Sequence, residues 1–215
     1  MSVLDYYAER VSKQADVLTV RPRGRPAAAS REDVLAAAMH RYLRGKRIDV
    51  QAIAAELRLG RSTIYRWFGS REELIGDVLV RAAEPLLDIA SAGAQGRGGP
   101  GLLDTFDRFN RSLADAPALR QFVEQEFETA LRIITSSAGR VQPRIVARIT
   151  GLIEDEVRAG TYEAPVEPAT LGYAIVRLAE AFLFNDAAAG MRGDVDRLRE
   201  VEAALLGVRG KRGQP

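Results

Sequence analysis

The chain has 215 residues, no cysteine, a single histidine, and 31 basic against 29 acidic residues for a formal net charge of +2. Disulfides and thiolate metal sites are thereby excluded, and no apolar run approaches the roughly 18 residues that a membrane span requires. The near-neutral total conceals an asymmetry: residues 21–71 hold twelve Arg and Lys against four Asp and Glu, and the remainder is net acidic. A basic end joined to an acidic body is expected of a nucleic-acid reader attached to a domain with another purpose. The first residues show no basic region followed by an apolar one, so no secretory leader is expected. The absence of cysteine suits a reducing cytoplasm.

Residues 1–20 read either as a short amphipathic helix carrying Val3, Leu4, Tyr7 and Val11 or as a frayed arm. Arg21-Pro22-Arg23-Gly24-Arg25-Pro26 is too rich in Pro and Gly to fold alone. It reads as an extended basic segment for the minor groove, with Arg23 and Arg25 as its contacts, or as a solvated linker. Ser30 to Asp33 caps a first helix reaching about Leu43, with Val34, Leu35, Ala38 and Tyr42 inward. His40 lies on that helix with no second histidine or cysteine to share a metal. Asp49 is the expected N-cap of a short second helix.

Between Asp49 and Leu79 the pattern is two short helices, a tight turn between them, and the start of a long third one. Ile53, Ala54, Leu57, Leu59, Ile64 and Trp67 are spaced to turn inward, so that the two short helices cross and pack. Arg61, Ser62, Thr63, Tyr65 and Arg66 stand outward on the second, a set of guanidinium, hydroxyl and phenol groups suited to base edges and phosphates. Ser70 to Glu73 reads as a capping box opening the long helix, which is expected to reach about Ala90. Pro85 lies inside it, removes one backbone hydrogen bond and clashes with the Arg81 carbonyl, so it is expected to kink or end the helix.

Residues 91–101 read as a flexible loop. Helical periodicity then resumes, with Leu102, Leu103, Phe106, Phe109 and Leu113 on one helix. The next opens at Asp115 and Pro117 and runs through Leu119, Phe122, Val123, Phe127 and Ala130 to Ile134. A further helix carries Ile145, Ile149, Leu152, Ile153 and Val157 to Gly160. The segment TLGYAIVRLAEAFLFNDAAAG after Pro168 is apolar on more than one face and must be buried on both. The last helix carries Val195, Leu198, Val201 and Leu205. Glu124, Glu126 and Glu128, like Glu154, Asp155 and Glu156, read as solvated faces. No enzyme motif is present, neither a Gly-rich phosphate loop nor H-E-x-x-H nor G-x-S-x-G, so no catalytic residue, cofactor or metal is expected.

The segment IAAELRLGRSTIYRWFGSREELI, residues 53–75, resembles the DNA-binding signature of the TetR family of transcriptional regulators. Ile53, Ala54, Thr63, Tyr65, Phe68 and Leu74 match it, and Leu59, Ile64 and Arg71 are close substitutions. Two positions depart from it. Arg58 stands where the signature has its turn glycine, at a cost of roughly 1 kcal/mol if the left-handed conformation is kept, which leaves room for a differently shaped turn. Gly60 replaces the serine that would cap the recognition helix, and offers no side-chain acceptor. The match covers about residues 30–80.

The resemblance implies an all-α fold of about nine helices. Residues 1–29 would be a basic arm, 30–76 the helix-turn-helix DNA-binding domain, and 77–210 a helical regulatory and dimerisation domain. It implies a ligand-responsive regulator, expected to be a repressor, bound as a homodimer to a pseudo-palindromic double-stranded operator. Arg61, Ser62 and Thr63 would face bases, and Tyr65, Trp67 and Arg71 phosphates, with Gln51 and Arg66 also at the DNA. A small-molecule site would use Phe106, Phe109, Asn110, Phe122, Glu126, Phe127, Arg177 and Asn185, and its lining would suit an apolar or aromatic effector; any one of these residues is more often ordinary core or a solvated stripe edge. The dimer would form through Leu171, Ile175, Leu178, Phe182, Leu198, Val201 and Leu205, unless both faces of the penultimate helix belong to a monomeric core. The competing reading is a helix-turn-helix protein that has no small-molecule effector and is controlled by a protein partner.

Overall fold

In the computed structural model residues 29–184 and 194–208 are described, and they form helices and connections without a strand. The chain divides into two compact units between Arg71 and Glu72. Arg23 and Arg25, the basic arm that carries them, and Asn185 lie outside the described residues.

The first unit contains α1 (Arg31–Leu43), α2 (Val50–Glu56) and α3 (Arg61–Phe68). The start of α1 is locally encoded. Ser30 Oγ accepts from the Asp33 amide at 3.2 Å, and the Asp33 carboxylate takes the Ser30 amide at 2.7 Å, closing a reciprocal box. Asp49 caps α2 by accepting from the Gln51 and Ala52 amides, and these bonds hold its carboxyl below the usual range. Val34, Leu35, Ala38, Met39, Tyr42, Ile48, Val50, Ile53, Ala54, Ile64 and Phe68 are buried. Phe68 fills the inward position at the end of α3, whereas Trp67, Leu57 and Leu59 are only half-buried. The Arg31 guanidinium lies 4.4 Å from the centroid of the Phe68 ring. An ion pair of 3.0 Å between Arg41 and Glu56 ties α1 to α2.

The turn between α2 and α3 keeps the left-handed conformation that a glycine would adopt: Arg58 has φ +54°, the one non-glycine residue with positive φ among those described. The strain of roughly 1 kcal/mol is accepted because the flanking helices fix the turn. Leu59 N–H donates to the Ala54 carbonyl at 2.8 Å across it.

The division falls after the first residue of α4 (Arg71–Gly93), and α5 (Gly98–Ala114), α6 (Pro117–Gln125), α7 (Phe127–Thr135), α8 (Val141–Arg158), α9 (Pro168–Phe184) and α10 (Val195–Leu205) follow. Three sequence expectations are corrected here. First, α4 runs past Pro85 to Gly93, and α5 already begins at Gly98, so the loop is Ala94–Arg97 rather than 91–101. Second, the helix expected from Asp115 to Ile134 is two helices, α6 and α7, broken at Glu126 with φ −135° and ψ 51°. That break raises the helix total from about nine to ten among the described residues. The apolar phase of Leu119, Val123, Ala130 and Ile134 runs unbroken through Glu126, so periodicity could not reveal it. Third, Glu156 is not a solvated face. Its carboxylate accepts from the Gly98 amide at 2.6 Å and the Thr161 hydroxyl at 2.5 Å and pairs with Arg97, binding the start of α5 to the end of α8. Burial alone would raise its pKa, but these donors outweigh it and hold it low.

Within this unit α8 packs on α9, and α5 on α10. Gly172 makes the α8–α9 crossing close: a Cβ there would lie 2.4 Å from Thr150 Oγ1 and 3.1 Å from its backbone nitrogen. Arginines of α7 and α8, with Arg140 just before α8, reach acidic residues spaced along α4. Arg132 pairs with Glu72, Arg140 with Glu73 at 3.2 Å and Asp77 at 3.3 Å, Arg144 with Glu84 at 2.6 Å, and Arg148 with Asp88.

Candidate functional site

On α3 the side chains of Arg61, Ser62, Tyr65 and Arg66 are turned away from the core. Ile64 and Phe68 are each 1 % exposed, whereas Arg61, Ser62, Tyr65 and Arg66 are exposed, Tyr65 at 44 %. Thr63 and Trp67 flank this face half-buried, and Gln51 is exposed at the start of α2. Gly60, the N-cap of α3, makes no side-chain cap bond, so no side chain competes for the amides at the helix start. Arg44 and Lys46, exposed on the loop before α2, and Arg58, exposed in the turn, were not among the expected DNA contacts. Arg71, expected at a phosphate, also has a structural partner. It is half-buried, and its Nε–H donates to the Ile48 carbonyl at 2.7 Å, fixing the residue just before the Asp49 cap. The Arg71 guanidinium is thereby a structural tie, whatever else it reaches.

The second unit does not gather all the expected ligand residues in one place. Phe106, Phe109 and Asn110 are buried together on α5. Phe122, Glu126 and Phe127 are half-buried at the α6–α7 break. Arg177 is exposed on α9, where it pairs with Glu180 at 2.8 Å and donates to the Thr135 carbonyl at 3.2 Å. Two buried carboxyl groups were missed. Glu180 is held by Gln142 Nε2 at 3.1 Å and by Arg177, although its burial still pushes its pKa up. Glu202 on α10 is 0 % exposed and accepts from Asn110 Nδ2 at 3.0 Å. Leu198, Glu202 and Leu206 recur at four-residue spacing, so a carboxyl at an inward position of the last helix was the available signal. Among the described residues no group of three or more His, Asp or Glu could hold a metal ion.

Residues 97–207 match the family described as "Tetracyclin repressor-like, C-terminal domain". The chain belongs to the TetR family. The match lies beyond the DNA-binding signature, in the second unit, and the all-helical fold agrees with it. The chain is therefore a DNA-binding transcriptional regulator and not an enzyme. Among solved structures it is similar to the TetR-family transcriptional repressor QsdR of R. erythropolis, with TM-score 0.79 and 28 % identity over 86 % of this chain and 97 % of that one. It also shares the fold of the TetR-family repressor AlkX from Dietzia sp. strain DQ12-45-1b, with TM-score 0.54 and 22 % identity over 87 % and 98 % of the two chains. No curated protein sequence matches it. No helix among the described residues is long and apolar enough to cross a membrane.

In this TetR-family chain, α9 and α10 present two kinds of apolar residue. Leu171, Ile175 and Leu198 are 1 %, 2 % and 0 % exposed within the unit and have no surface left to give a partner. Leu178, Phe182 and Leu205 are half-buried, and Tyr173 and Val201 remain exposed at 49 % and 37 %. The expected inward place of Val201 is taken by Glu202, one residue on.

Proposed function

We propose that the protein is a homodimeric repressor of the bacterial cytoplasm that binds a pseudo-palindromic operator through α3 and is released by a small apolar effector held in the second unit. The observation that carries the reading is the composition of the outward face of α3: Arg61, Ser62, Tyr65 and Arg66 exposed above buried Ile64 and Phe68. Arg61, Ser62 and Thr63, at its N-terminal end, read base edges, and Tyr65, Arg66, Trp67 and Gln51 position the backbone. QsdR is a transcriptional repressor, and the same sense of control is taken for this chain. The half-buried Leu178, Phe182 and Leu205 with exposed Tyr173 and Val201 form the dimer face, and two reading heads together supply the specificity that a single short helix lacks. Buried Phe106, Phe109 and Asn110 support an apolar effector site with few polar groups.

A duplex enriched from a random pool by the full-length protein supplies the operator for gel-shift titrations. Arg61→Ala should lose roughly 5- to 150-fold on the enriched duplex and alter base preference, the effect of one base-edge contact. Tyr65→Phe should weaken enriched and random duplexes alike. Unchanged preference in an Arg61→Ala, Ser62→Ala double variant would overturn the assignment. Control by a protein partner instead of an effector would be indicated if no compound in an apolar library shifts both the melting temperature and operator affinity.

A further inference from the structure

Glu202 has no part in DNA reading or dimer formation. Its carboxyl is fully buried on the Leu198–Glu202–Leu206 stripe of α10, against α5. Oε1 accepts from Asn110 Nδ2 at 3.0 Å, while Oε2 is buried without a hydrogen-bond partner. Phe106, one turn before Asn110 on α5 and 1 % exposed, makes this an apolar setting. An unmatched buried oxygen is costly and calls for a polar group that the described residues do not provide.

The protonation state follows from the surroundings. Burial pushes the Glu202 pKa up to about 8; the Asn110 bond and Arg199 oppose the shift, and Asp107 adds to it. Asp107, from α5, is itself paired with Arg111 at 3.1 Å, and Arg111 also holds Asp196 of α10 at 2.6 Å. On α9, also packed against α10, Arg177 and Glu180 are engaged with each other and with Gln142 and the Thr135 carbonyl. Arg199, three residues from Glu202 on the same helix, pairs through Nε with Asp107 at 3.8 Å, while its Nη1 is buried without a hydrogen-bond partner among the described residues. The raised pKa favours the uncharged carboxyl at neutral pH, and with Oε1 accepting from Asn110 the proton sits on Oε2, which becomes a donor.

We propose that the Glu202–Asn110 pair is the polar anchor of the effector site, selecting an uncharged ligand whose carbonyl oxygen accepts a hydrogen bond from Oε2. This deepens, and rests on, the reading of the chain as effector-responsive. An apolar amide, ester or ketone has the required chemistry. A cationic ligand would need the carboxylate, and an anionic one would meet Asp107 beside it.

The test is calorimetric titration of full-length protein with octanamide, using octylammonium and octanoate as charged probes of equal length. Glutamine keeps the Oε1 acceptor and offers Nε2–H where Oε2–H stood. Glu202→Gln should therefore bind octanamide within about threefold of wild type, while Glu202→Leu should lose about tenfold, one hydrogen bond's worth. Wild-type affinity should fall above pH 8 as the carboxyl ionises, whereas the glutamine variant stays flat. Circular dichroism reports whether Glu202→Leu folds; if it does not, the glutamine comparison and the pH profile decide. Absence of octanamide binding by wild type, equal binding by folded Glu202→Leu, or preferential octylammonium binding lost in Glu202→Gln would each overturn the anchor. Operator titrations on the same preparations separate the two claims. Octanamide bound through Glu202 without any change in operator affinity would refute effector control but keep the ligand site. A compound that releases operator equally from wild type and Glu202→Leu would refute the anchor but keep effector control.

Discussion

Glu202 also sets the sign of a pH effect on stability. Its carboxyl ionises near 4.5 when free and near 8 in the fold, so between those values unfolding releases a proton and stability falls as pH rises. The loss levels off well above pH 8, where the carboxyl is ionised in both states. Asp49, Asp104 and Glu156 act oppositely: their pKa values are lowered by folding, and their contribution is lost only in acid. Glu202→Gln keeps the Asn110 bond and removes the ionisation. Its melting temperature should match wild type at pH 5 and exceed it by several degrees at pH 8, since a few kcal/mol are at stake and each shifts a chain of this size by roughly 2–4 °C. Calorimetric scans from pH 5 to 9 check this; a constant offset would show that Glu202 is not ionising across that window.

At the scale of helices, the α8–α9 crossing depends on a residue with no side chain. Gly172→Ala would place a Cβ 2.4 Å from Thr150 Oγ1, and rotating that hydroxyl leaves backbone atoms at 3.1 and 3.2 Å. The helices must part, at a cost of about 1–3 kcal/mol typical of overpacking, so urea denaturation should show a lower midpoint with an unchanged slope. Gly151→Ala, at a glycine on the same helix as Thr150 with nothing within 4 Å, should be neutral or slightly stabilising and serves as the control. The Arg140, Arg144 and Arg148 pairs with α4 are exposed enough that each contributes little alone.

For the whole molecule the proposed dimer is the main prediction. Wild-type protein at micromolar concentration should sediment at twice its 23.5 kDa chain mass. Leu178→Asp with Leu205→Asp should give a folded monomer, because both side chains are only half-buried in the chain itself and a charge there is solvated without a partner. The monomer should bind the enriched duplex far more weakly than wild type while keeping its circular dichroism. A monomeric wild-type protein would refute the dimer.

The sequence by itself determined what depends on near neighbours and on the sign of charge. The Ser30 box and the Asp49 cap are four-residue events, and the outward row of Arg61, Ser62, Tyr65 and Arg66 follows from helical phase alone. Charge asymmetry and the absence of cysteine need no fold at all. Tertiary structure decided what distant residues settle between them. Pro85 is compatible with a helix end or a helix interior, and packing of Leu86, Leu87 and Ala90 carries α4 on to Gly93. The break at Glu126 has no Gly or Pro to mark it and interrupts a continuous apolar phase. Glu156 and Glu202 look like any acidic helix residue until Gly98 and Asn110, each more than fifty residues away, arrive to bond them. A side chain's burial and charge state are set by such long-range partners, and one-dimensional periodicity carries no information about them.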